Sequence, residues 1–108
     1  LNVCLQINID NEENKSGLDL NEIDSFIEQT KSLENLKIRG LMVIPRPREA
    51  LEEQKEIFGM VKNIFLALNE KGNNFDTLSM GMSSDYAAAI QEGATMIRVG
   101  TGIFGPRK

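Results

Sequence analysis

The chain has 108 residues, 41% of them apolar and 26% charged, with three prolines, the proportions of one globular domain and not of a disordered segment. A formal net charge of −4 and the absence of any long basic run exclude the clustered Lys and Arg that a phosphate backbone demands, so nucleic acid is not an expected partner. With no histidine and with Cys4 as its one cysteine, the sequence also excludes an internal disulfide, a Cys/His metal centre and a histidine-based triad; a reducing, cytoplasmic setting fits. Apolar runs are only a few residues long and no signal-peptide pattern occurs, so no membrane association is expected. Leu1 enters directly into a strand pattern, which reads as part of something longer.

Val3, Leu5, Ile7 and Ile9 alternate with Cys4, Gln6, Asn8 and Asp10, which predicts a strand over residues 3–9 with one apolar face. Ile23, Phe26, Ile27, Thr30 and Leu33 then recur at helical spacing behind Asp19 and Glu22, a capping-box pair, and predict a helix over residues 20–32. Residues 38–44 read as a buried strand stopped by Pro45-Arg46-Pro47, since proline cannot donate to a ladder. Leu51, Gln54, Phe58, Val61, Phe65 and Leu68 mark a longer amphipathic helix that ends at Gly72. A third strand over residues 75–80, a short helix over 85–91 and a fourth strand over 95–99 complete the chain. Strand and helix alternating in this way predict parallel strands with right-handed crossovers, and four such units are half of an eight-stranded barrel. A sheet of this kind has two unpaired edges that invite another chain. The methionines, Met42, Met60 and Met96 among them, are expected to fill core, Cys4 to be structural, and Glu22, Asp24 and Glu28 to form a solvated face.

Chemistry concentrates in two turns, Ser79-Met80-Gly81-Met82-Ser83-Ser84-Asp85 and Arg98-Val99-Gly100-Thr101-Gly102, one βα unit apart. Their small residues let backbone N–H groups approach an anion, a helix follows the first, and Ser83 and Thr101 add hydroxyls, so the pair reads as two halves of a phosphate clamp. The plainer alternative makes Ser83, Gly100 and Thr101 ordinary turn and cap residues. Gly81 and Met82 flank the cup. Arg98 stands between Ile97 and Val99, where an unpaired charge facing a core is costly, so it is expected to face the strand ends. Asn8, on the polar face at the end of its strand, is a candidate pocket residue.

Five segments carry a family resemblance: Gln6-Ile7-Asn8, Glu12 with Lys15 and Gly17, Leu36-Lys37-Ile38-Arg39-Gly40-Leu41-Met42-Val43-Ile44-Pro45, Leu78-Ser79-Met80-Gly81-Met82-Ser83, and Ile97-Arg98-Val99-Gly100-Thr101-Gly102-Ile103-Phe104-Gly105. In this order they closely resemble the pyridoxal phosphate homeostasis family, also called the YggS or proline-synthetase co-transcribed family. The resemblance implies an α/β fold, the fold-type III TIM (β/α)8 barrel of the alanine racemase N-terminal domain, holding pyridoxal 5′-phosphate at the C-terminal ends of its strands. It implies phosphate binding by Ser83, Gly100 and Thr101, and an Arg98 facing the pyridine nitrogen, where a guanidinium keeps that nitrogen unprotonated and weakens the electron sink. Such a cofactor is stored and delivered more readily than used, and members of the family lack the racemase's second domain and have no well-established catalytic activity. Lys15 corresponds to a racemase arginine near the phenolic oxygen, with a solvated loop lysine as the equal alternative.

One departure stands out. The family's Schiff-base lysine lies in an Ala-Val-Ser-Lys-like strand, and Lys15, Lys31, Lys37, Lys55, Lys62, Lys71 and Lys108 all stand in other contexts. The resemblance therefore makes residues 1–108 the C-terminal half of the barrel, strands five to eight, carrying the phosphate cup without the covalent anchor and holding cofactor non-covalently. Its implied partner is the missing N-terminal half or a second copy joined through the open edges. Two other functions stay open: a racemase or decarboxylase of the same barrel class, for which Tyr86 is the one tyrosine present, and an inactive fragment.

Overall fold

A computed structural model of the protein describes residues 1–11 and 16–98. In chain order it contains β1 (Asn2–Ile7), a 3-10 turn (Leu20–Glu22) running into α1 (Ile23–Thr30), β2 (Lys37–Val43), α2 (Leu51–Glu70), β3 (Thr77–Met82), α3 (Tyr86–Gln91) and β4 (Met96–Arg98). The four strands form one sheet in the order β1-β2-β3-β4, every neighbouring pair parallel, as the alternation of periods predicts. Leu5 and Ile7, Leu41 and Val43, and Leu78 and Met80 alternate along their strands and are buried in one core with Ile23 and Ile27 of α1, Phe58, Val61 and Phe65 of α2, and Ala88 and Ala89 of α3. The helices therefore cover a single face, and Cys4, Gln6 and Met42 lie on the other, half-buried.

Ladder irregularities set how closely the strands approach. Val3 pairs with Ile38 but Cys4 pairs with Gly40, so Arg39 is an extra residue in β2. Gly40 is obligatory, since a Cβ there would stand 1.6 Å from the Thr77 carbonyl oxygen of β3.

Several expected boundaries move, each for a local reason. The capping box forms, Asp19 N donating to Glu22 Oε1 at 3.0 Å, but it opens a 3-10 turn and the α-helix proper begins at Ile23. Phe26 and Leu33, expected in the apolar stripe, are 36% and 52% exposed, because a helix of only two turns buries just Ile23 and Ile27. Phe75 is held out of the sheet by Asn69, whose Oδ1 accepts from Phe75 N at 2.6 Å while its Nδ2 donates to Phe75 O at 3.0 Å, so β3 begins at Thr77. At its far end β3 runs on through Gly81 to Met82, two residues beyond the expected stop. Core filling by methionine also fails as a rule: Met80 is buried, whereas Met60 and Met96 are 44% and 53% exposed.

Candidate functional site

Parallel strands all end at one edge of the sheet, and ligand sites of open α/β sheets lie beyond the carboxyl ends of strands. That edge gathers Asn8 after β1, Ile44 after β2, the 83–85 turn after β3 and Arg98 at the end of β4. Arg98 is the registered partner of Met82, one residue from Ser83. Its Nη2 donates to the Val43 carbonyl oxygen at 3.2 Å, so the guanidinium spans β3 and reaches β2. Its Nε is buried and has no hydrogen-bond partner among the described residues. A guanidinium nitrogen can only donate, and a buried donor left unpaired is unfavourable, so this atom marks a place for an acceptor.

Gly81 has φ +105°, and a Cβ on it would stand 2.7 Å from Ala89 Cβ and 3.1 Å from Ile97 Cγ2. The absent side chain is thus required by the packing of α3 and β4 on β3. Met82 is 43% exposed, and its amide donates to Asp85 Oδ1 at 2.7 Å. That bond closes the turn and leaves it one main-chain donor fewer for an anion than the sequence suggests. Ser83 is half-buried at the turn's start, and Tyr86, 45% exposed, opens α3. Asn8 is half-buried, with its amide donating to Leu18 O at 2.9 Å, and it borders a cavity of about 390 Å³ shared with Asn11, Asp19 and Asn21. Lys15, Gly100 and Thr101 lie outside the described residues. The structure therefore brings Met82, Ser83 and Arg98 together, with Gly81 beneath them, and sets Asn8 two strands away on the same edge.

Three further residues at this edge escaped the sequence reading. The Asp10 side chain is 5% exposed and accepts from Arg48 Nη2 at 2.5 Å and from the Arg46 amide at 2.6 Å. Burial alone pushes this carboxyl up, but the Arg48 and Arg46 hydrogen bonds and charges outweigh it and hold it below the ordinary carboxylate range. Gln54, in the first turn of α2, is buried; its Nε2 donates to Arg48 O at 2.6 Å and makes a long, weaker bond to Ser84 O at 3.5 Å. A glutamine inside an otherwise apolar stripe was the available signal. Among the described residues no cluster of acidic, cysteine or histidine side chains could hold a metal ion, and no helix is long and apolar enough to cross a membrane.

Comparison with known proteins adds a second line of argument. A pyridoxal phosphate homeostasis protein of Pseudomonas aeruginosa is 47% identical over 107 residues, covering 99% of this chain and 45% of its own length. The protein of the same name from Escherichia coli K12 is 45% identical over 107 residues, 99% of this chain and 46% of its own. PipY of Synechococcus elongatus, solved without PLP, superposes with a TM-score of 0.85 at 36% identity over 96% of this chain and 49% of PipY; the form with PLP bound gives 0.81 at 35% over the same shares. The chain thus spans about half the length of the curated relatives it matches. The alanine racemase N-terminal domain family matches all of residues 1–108, and the chain belongs to that family.

Proposed function

We propose that this chain is the C-terminal half, strands five to eight, of a pyridoxal 5′-phosphate-binding barrel whose role is to hold and deliver the cofactor without turnover in a reducing, cytoplasmic setting. Coverage of about half of each curated relative supports the half-barrel reading, as do the two sheet edges, β1 and β4, each with a single strand neighbour among the described residues. Those edges would take the remaining strands, supplied by the N-terminal half or, failing that, by a second copy.

The observation that carries the cofactor reading is the buried Arg98 Nε at the C-terminal edge of the sheet, without a hydrogen-bond partner among the described residues. When bound, pyridoxal phosphate supplies an aldehyde and an electron-withdrawing pyridine ring. A guanidinium donates only, so Arg98 suits an unprotonated ring nitrogen and opposes the protonated form that most catalysis on this cofactor exploits. Ser83 offers a hydroxyl beside Arg98's registered partner, Met82, and Gly100 with Thr101 would complete the cup from the other side. The surroundings fit the group: a donor without an acceptor, a hydroxyl, and a main chain held close by Gly81.

The test is the double variant Ser83→Ala, Thr101→Val in the full-length protein, read by dialysis retention of pyridoxal phosphate. Hydrogen bonds to a charged group are each worth about 1.5–3 kcal/mol, so retention should weaken by at least roughly tenfold. Unchanged retention would show the clamp assignment to be wrong.

A further inference from the structure

We propose that Gln54 is a positioning residue for the anion-binding turn, the inner link of a strap Asp10–Arg48–Gln54–Ser84 that crosses the C-terminal edge of the sheet and fixes the Ser83 hydroxyl; the inference rests on the phosphate reading above.

The strap joins three loops that no ladder connects. Asp10, after β1, grips the β2–α2 loop twice, through the Arg48 guanidinium and the Arg46 amide. Arg48 Nη1 also donates to the Arg46 carbonyl at 3.0 Å, which stiffens that loop around its two prolines. Its own carbonyl then accepts from Gln54, and the same Gln54 nitrogen reaches the Ser84 carbonyl of the β3–α3 turn. That nitrogen, which carries two protons, lies 2.6 Å from the Arg48 carbonyl oxygen and 3.5 Å from that of Ser84, on two different loops. Gln54 is 8% exposed on a helix face otherwise given to Ile57, Phe58 and Val61, where an apolar residue of equal size would pack without the need for polar partners. Its amide is accounted for by what it holds, and what it holds at its far end is the residue next to Ser83. On the turn's other flank the Met82 amide is fixed by Asp85, so the turn is held from both sides.

A residue that only stabilises the fold would weaken all ligands alike, whereas one that positions the phosphate loop acts on the phosphate alone. The experiment therefore titrates the full-length protein and its Gln54→Met variant with pyridoxal 5′-phosphate and with pyridoxal, which has the same ring and no phosphate. Gln54→Met keeps the volume and removes both hydrogen bonds. It should raise the Kd for pyridoxal phosphate by roughly tenfold, about 1.4 kcal/mol, and leave that for pyridoxal within about twofold. Should Gln54→Met fail to fold, Asp10→Asn preserves side-chain shape, loosens the far end of the strap, and should lower the preference for the phosphorylated ligand by about threefold. A wild-type protein that binds the two ligands equally overturns the phosphate reading, and the strap with it. A wild type that discriminates, with variants that discriminate just as strongly, overturns the strap alone.

Discussion

At the N-terminal ends of the strands Arg39 pairs with Asp76 by a guanidinium fork, and both side chains are at least one-third exposed, at 36% and 54%. At the C-terminal ends Asp10 pairs with Arg48, and there the exposures are 5% and 20%. The chemistry is the same, an arginine on an aspartate, but water screens the first pair and is largely excluded from the second. Glycines divide in the same way. Gly72, between α2 and β3, has φ +97° and open space where a Cβ would stand; Gly81, at the other end of β3, has φ +105° and Ala89 in the way. At the first end the ion pair and Gly72 tolerate change, Gly40 against the Thr77 carbonyl being the exception. At the other, polar groups and close backbone contacts depend on one another.

The largest break in this contrast should come from Asp10→Ala, which strands Arg48 and the Arg46 amide. Removal of one partner of a buried pair is worth roughly 3–5 kcal/mol, and urea unfolding of the full-length protein should register a loss of about that size. The matching Asp76→Ala at the exposed, screened end should lower the unfolding midpoint by much less. Equal losses at the two ends would remove the distinction.

Gly81→Ala and Gly72→Ala sharpen it next. Both force an L-residue into the left-handed region, at about 1–2 kcal/mol. Only Gly81→Ala adds a 2.7 Å clash with Ala89, for a further 1–3 kcal/mol by the usual range for overpacking. Thermal melts should therefore separate the two variants by several degrees, Gly81→Ala being the lower.

Smallest is the acid limb. Arg39 and the Thr77 hydroxyl hold the Asp76 carboxyl down to about 2, and Asp10 is likewise depressed, its burial outweighed by Arg48 and Arg46. A folded-state value below the unfolded one, about 3.9, contributes stability that is complete above the unfolded value and is lost as pH falls through the folded value. Stability should therefore decline from about pH 4 towards pH 2. Raising the salt to about 1 M, where the screening length is roughly 3 Å, should flatten the part of the limb that Asp76→Asn removes and spare the part that Asp10→Asn removes.

Much of the fold was legible because its signals are local and repeated. Leu5 and Ile7, Leu41 and Val43, and the Phe58–Val61–Phe65–Leu68 series all face one core, and parallel order follows from the alternation alone. What misled were residues whose type is ambiguous without partners. Gly81 reads as a turn glycine and sits inside a strand. Met60 and Met96 read as filler, but hydrophobicity does not say which face of a short element is covered. Ser83 and Arg98 were legible as candidates because small residues and a lone charge stand out against an apolar strand. Asp10 and Gln54 were not, since an aspartate after a strand and a glutamine on a helix are ordinary until tertiary structure places Arg48 between them.

The extra residue of β2 bears on how this sheet can change length. Ile38 and Leu41 both reach the core although three positions separate them, because Arg39 is looped out of the alternation between Val3 and Cys4. Arg39 is in effect an insertion that the ladder has already absorbed. Its excision would return β2 to an unbroken two-residue rhythm with Ile38 and Leu41 on the same side. A one-residue excision between Leu41 and Val43 would instead turn part of the strand inside out. The start of β2 can thus lose Arg39 without a change of phase, whereas a loss between Leu41 and Val43 reverses it.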